Sequence, residues 1–216
     1  EFVRDIFRLG APAALDLLLV NLSFLTMIFF LARISPEAVA AHGVGHRVQS
    51  LAFVPGLGIA QAVGALVGNF LGADNKKGAL KVTRSGIVLA ALLMGTIGAG
   101  LTFGRGELAA LFSIEPGTEL FALTTLWIMI LGGTLPIIGA NVALIGALRG
   151  AGATFSSLLI NMVGTLIFQI PLLYIGAELD GARGIWLSFP IAYFCRTMVT
   201  IWIFRRGNWA KTGLRA

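Results

Sequence analysis

Apolar residues in this chain are gathered into runs of about 20, the length a helix needs to cross the roughly 30 Å hydrocarbon core of a bilayer. Six runs can be read, near residues 11–31, 48–71, 82–103, 121–144, 158–175 and 185–204. Backbone N–H and C=O groups in lipid must be paired within the protein, so runs of this length read as helices. Composition agrees: of 216 residues, 57% are hydrophobic and 12% charged, whereas a soluble domain carries about 25% charged residues. The sequence therefore predicts an all-α membrane protein, a six-transmembrane-helix bundle forming a single lobe over 1–216. A soluble globular domain, a disordered chain and a disulfide-stapled module are excluded. The single cysteine, Cys195, allows neither a disulfide within the chain nor a cysteine metal site.

The charges sort by side of the membrane. Arg4, Arg8, Lys76, Lys77, Lys81, Arg84, Arg149, Arg205, Arg206, Lys211 and Arg215 flank alternate loops and the two ends. The opposite side holds Arg33, Arg47, Arg105 and Arg183 with most of the acidic residues, among them Glu37, Glu107, Glu119 and Asp180. Short basic loops stay in the cytoplasm, which predicts both termini cytoplasmic in a multi-pass protein of the cell (plasma or inner) membrane. The net charge of +6 then reads as a topology signal, with no nucleic-acid partner. The first residue is Glu1, with no signal-peptide pattern after it, and a piece of a longer protein is expected. Glu107 to Phe112 reads as a short interfacial helix.

Small residues recur every four positions at Gly56, Ala60, Gly64, Gly68 and Gly72, and again at Gly139, Ala143 and Ala147. Gly86, Ala90 and Gly98 mark the third run in the same way. Such stripes let helix backbones approach closely; close packing is the simpler reading, a sliding surface the functional one. Pro55, Pro136, Pro171 and Pro190 lie inside spans and should bend them.

Polar residues within spans cost free energy unless they face protein or water. Asn161, Thr165 and Gln169 form one stripe on the fifth run. Asp16 and Ser23 share a face of the first run with Met27 and Phe30, and Gln61 and Asn141 lie at mid-depth on the second and fourth. Singly, each is an interhelical hydrogen bond. Together with Met27 and Phe30 they suggest an amphipathic cavity lining, and they are the substrate-path candidates. Asp16 is the ion-coupling candidate, or else an acidic residue placed at a helix start by the macrodipole. Arg196, two turns from the cytoplasmic end of its run, is expected to snorkel outward, the alternatives being Asp16 or backbone carbonyls as partners. No nucleophile, metal or phosphate-loop motif is present. His42 and His46 lack a third ligand, so neither an enzyme nor a metal centre is expected.

Several motifs then carry a family resemblance. They are Gly10-Ala11-Pro12-Ala13-Ala14-Leu15, Arg47 through Gly56 (RVQSLAFVPG), Leu66 through Ala73 (LVGNFLGA), Gly146 through Thr154 (GALRGAGAT), Gly184-Ile185-Trp186-Leu187 and Arg205 through Trp209 (RRGNW). In this order the chain resembles the C-terminal six-helix lobe of the multidrug and toxic compound extrusion (MATE) transporters from about Arg8 to Trp209. The resemblance implies two such lobes facing each other across a cavity, and export of organic, often cationic small molecules in exchange for protons or sodium ions. The implied partners are a missing N-terminal six-helix lobe or a second copy, with no cofactor beyond the coupling H+ or Na+. Asn69 and Ala153 stand where the family commonly has Gln and Asp. The sodium-coupled branch carries acidic residues on the first and fourth helices of this lobe, where this chain offers Asp16 and Asn141. The rival readings are a membrane scaffold or lipid-interacting subunit without a transport cycle, and a related lipid-precursor flippase, which would want a more cationic cavity.

Overall fold

The computed structural model describes residues 2–207; on the first helix the side chains of residues 2–9, 12, 13, 16 and 17 also fall outside the description. Among the described residues the chain is helical nearly throughout, with no strand. The helices are α1 (Phe2–Leu31), α2 (Pro36–Gly72), α3 (Lys76–Phe103), α4 (Arg105–Leu111), α5 (Glu119–Gly150), α6 (Thr154–Met162) and α7 (Ile170–Arg205). Between the last two, Val163–Gln169 is wound as a π-helix. Among the described residues, four stretches are long and apolar enough to cross a membrane: Pro36–Gly72, Lys76–Phe103, Glu119–Gly150 and the continuous Thr154–Arg205. The last of these folds back on itself. Asp180 and Gly181 leave helical geometry, Gly181 at φ 52° and ψ −131°, a region that glycine alone occupies cheaply. A Cβ on Gly176 would land on the carbonyl of Gly184, and one on Gly184 on that of Gly176, so the arms 154–179 and 182–205 lie backbone to backbone as a hairpin. The six apolar runs thus fall on α1, α2, α3, α5 and these two arms.

One expected boundary is corrected. The second helix was predicted from residue 48 but begins at Pro36. Its first three turns hold two histidines, an arginine and two glycines, which depress hydropathy without opposing a helix. The start signal is local: the Ser35 side chain accepts the Ala38 N–H at 3.0 Å, Pro36 takes the first turn, and Glu37 faces the positive end of the dipole. Asn75 starts α3 in the same way, accepting from the Gly78 N–H at 2.8 Å.

α5 is apolar all round and buried along most of its length, as a helix without a polar face must be. It packs on α2, α3 and the second hairpin arm. The small-residue stripes are the contact surfaces: a Cβ on Gly146 would fall on Ala60, one on Gly150 on Gly64, and one on Gly139 on the Ala90 carbonyl. Two apolar clusters result. One joins Met27 and Leu31 of α1, Ala38 and Ala41 of α2, Trp127 and Leu131 of α5, and Trp186 of α7. The other joins Val63, Val67, Ala79, Ala147, Leu148 and Ile160. Most helix hydroxyls bond to a carbonyl one turn earlier, as Thr83, Thr134 and Thr197 do, the inexpensive way to bury them in lipid.

Candidate functional site

Beside the first cluster, α1, the early part of α2, the π-helical segment and the second hairpin arm enclose a hollow of about 80 Å³. It reaches the surface at Val20, which is 56% exposed.

One wall is polar. Asn161, Thr165 and Gln169 all face the hollow and are buried. The π-helical winding contains the last two; a π-turn frees the regular carbonyl ladder locally and occurs often at functional positions. From α1, Ser23 and Met27 complete this side, and Gln169 Nε2 approaches Met27 Sδ at 3.9 Å.

The facing wall is aromatic and cationic. His46 lies 4.1 Å from Phe24, Phe24 lies 5.5 Å from His42, and His42 lies 5.3 Å from Trp127 between ring centroids. Trp127, in the apolar cluster behind the lining, links the series to Phe189 at 5.5 Å, and Phe189 lies 4.8 Å from Tyr193. Arg196 closes it, its guanidinium 4.8 Å from the Tyr193 ring. These separations suit aromatic and cation–π contacts.

Arg196 does not snorkel. Its side chain is 6% exposed and turns into the bundle, where Nη2 donates to Thr165 Oγ1 at 3.1 Å. Gly164 makes this possible, because a Cβ there would land on Arg196 Nε. That Nε has no hydrogen-bond partner among the described residues, and neither does Nδ1 or Nε2 of His42, which is 1% exposed. A hydroxyl and a ring face are weak compensation for a buried cation, whose placement at a bilayer centre costs about 2.5–3.5 kcal/mol on insertion scales.

The other described candidates from the sequence stand apart from the hollow. Asn141 is buried between α5 and α7, its Nδ2 donating to Thr200 Oγ1 at 3.0 Å. Gln61 is exposed on α2 and does not line the hollow. Phe30 is half-buried and meets Tyr174 edge-on at 6.2 Å. Asp16 lies on α1, but its side chain is outside the described residues. Sequence reasoning missed His42, His46, Phe24, Gln49 and Tyr193 as wall residues. The Ser35-Pro36-Glu37 start signal would have carried α2 through both histidines, and their four-residue spacing places them on one face.

The MatE family model matches residues 12–175. A helical bundle with one sparse polar hollow is the architecture of a membrane transporter lobe, and the chain belongs to the MatE family. It is 28% identical over 214 residues to a Thermotoga maritima protein named "Probable multidrug resistance protein NorM", covering 96% of this chain and 45% of that protein. It is 26% identical over 184 residues to the "FAD transporter" of Shewanella oneidensis, covering 85% of this chain and 40% of that protein. The Vibrio cholerae MATE transporter VcmN in its bent form superposes with a TM-score of 0.87 at 21% identity, covering 97% of this chain and 47% of that one. The chain thus spans about half the length of the relatives it matches.

Proposed function

We propose that this chain is one lobe of a secondary active antiporter that exports organic, often cationic compounds in exchange for protons or sodium ions. The observation that carries the reading is the hollow: three polar side chains of one helical stripe meet Met27 and an aromatic wall inside an otherwise apolar bundle. A second lobe, supplied by further chain or by another copy, would face this one, and rocking between the two would expose the substrate alternately to each side. Both termini face the cytoplasm in the cell membrane, as the basic loops direct. Nothing in the reading calls for an enzyme role or a cofactor beyond the coupling ion, with Asp16 the candidate for it on this lobe. The relative named for FAD widens the compounds worth testing beyond organic cations.

The test replaces Asn161, Thr165 and Gln169 with alanine in the full-length protein. Drug resistance should fall while the amount of protein in the membrane stays constant. Unchanged resistance at equal expression would remove the stripe from the transport path. The flippase reading has one observation in its favour, the buried cation Arg196; it would gain if lipid-linked precursors, and no drug, were moved.

A further inference from the structure

We propose that the hollow binds an oxyanion, a carboxylate or phosphate group, and that Arg196 is the residue that recognises it. The inference rests on the exporter reading for what brings the group there. It deepens that reading by assigning a substrate class: amphipathic compounds that carry an acidic group beside any cation.

The charge of the wall is the first ground. Among the described residues its ionisable groups are Arg196, His42, His46 and Tyr193, with no carboxylate among them. Arginine holds its charge at any pH a cell reaches, with five N–H donors in a planar fork that matches a carboxylate or phosphate two-to-two. Among the described residues that fork makes one hydrogen bond, to the neutral Thr165 hydroxyl, and lies over one ring, so no counter-ion stands beside this buried cation among them.

Unpartnered donors are the second ground. His42 lines the same hollow with both ring nitrogens free of hydrogen bonds and only 1% of its surface exposed. A buried imidazole without a partner is costly, and an oxyanion would accept from whichever nitrogen carries hydrogen. The Gln169 amide faces the same space, its Nε2 3.9 Å from Met27 Sδ.

Size is the third. About 80 Å³ admits a small head group but falls well short of the ~300 Å³ or more of a drug-sized pocket. The remainder of the ligand would pass Val20 towards the facing lobe. A cationic group in the hollow would confront Arg196 directly, so the cationic part of any substrate belongs elsewhere.

Trp127 lies tilted against His42, 5.3 Å between ring centroids, and gives the protein its own fluorescent reporter. The full-length protein in detergent is titrated with sodium acetate and with inorganic phosphate, each against sodium chloride at equal ionic strength. Saturable quenching by acetate or phosphate is expected, weakened at least tenfold in Arg196→Gln and at least threefold in His42→Phe, which keeps the ring but removes its nitrogens. Thermal unfolding reports whether each variant is folded, and if Arg196→Gln is not, His42→Phe decides. Equal binding by the variant and the parent overturns the proposal, as does the absence of a saturable response. Binding that appears only in Asp16→Asn also overturns it, because Arg196 would then be the counter-ion of that carboxylate. Competition by dihexanoyl phosphatidylglycerol without any effect of inorganic phosphate would assign the same chemistry to a lipid headgroup. Drug efflux from vesicles separates the two readings: anion binding without efflux removes the exporter reading alone, and efflux without anion binding removes this inference alone.

Discussion

Arg196 Nη2 donates to Thr165 Oγ1 at 3.1 Å across the two arms of one helical hairpin. The bond ties the polar stripe to the cationic wall, so the shape of the hollow and the stability of the hairpin depend on the same pair. Replacing Thr165 with Val removes the acceptor and leaves the guanidinium poorer by one partner. A loss of about 1.5–3 kcal/mol is expected, the usual range for a hydrogen bond to a charged group. Thermal unfolding in detergent would register it, and Thr165→Ser should recover most of it.

Gly164 is the second support of this arrangement. Alanine there would put a methyl group on Arg196 Nε, at an expected cost of about 1–3 kcal/mol for overpacking. The clash is specific, so Gly164→Ala combined with Arg196→Met should be less damaging than the sum of the two single changes. Additive effects would show that Gly164 serves another contact.

The α2–α5 seam should tolerate less. Gly146 meets the Ala60 backbone, which cannot rotate away as a side chain can. Gly146→Val is expected to lower the yield of folded protein in the membrane sharply, measured by detergent extraction and gel filtration. Gly58→Val, at a position with open space, is the control and should be neutral in the same assay.

Asn141 and Thr200 form a buried pair outside the hollow. A double-mutant cycle with Asn141→Ala and Thr200→Val should give a coupling of about 0.6 kcal/mol, the average for polar contacts between membrane helices, and no more than about 1.7 kcal/mol. No coupling would mean that each finds another partner.

Gly181 at φ 52° and ψ −131° predicts that Gly181→Ala costs about 1–3 kcal/mol of strain. The readout is the melting temperature, and an unchanged value would show that the turn can adopt another shape.

Hydropathy and loop charge made the helical bundle legible, because lipid penalises every polar group along a span and so writes the spans plainly. It failed at residues 36–47 because its measure is polarity, whereas Ser35, Pro36 and Glu37 specify a helix by capping and dipole. In the hollow, Asn161, Thr165 and Gln169 were readable because four-residue spacing on a single helix needs no tertiary knowledge. The opposite wall was not readable in this way. Phe24, His42 and Arg196 come from three separate helices, and only the packing of the bundle brings them together. Arg196 shows the limit most clearly: its distance from the helix end suggested an outward reach, while the missing Cβ of Gly164, on another helix, let it turn inward.

The hairpin turn at Asp180–Gly181 has a consequence for how this lobe can vary. Thr165 and Arg196 stand at nearly equal distances along the chain on either side of it, so their meeting is a matter of counting residues. A single insertion in one arm would turn everything beyond it by about 100° around the helix axis, swinging the guanidinium out of the bundle towards lipid. Related chains can therefore retune this chamber by exchanging side chains, but deletions and insertions within its arms should be tolerated only in whole helical turns.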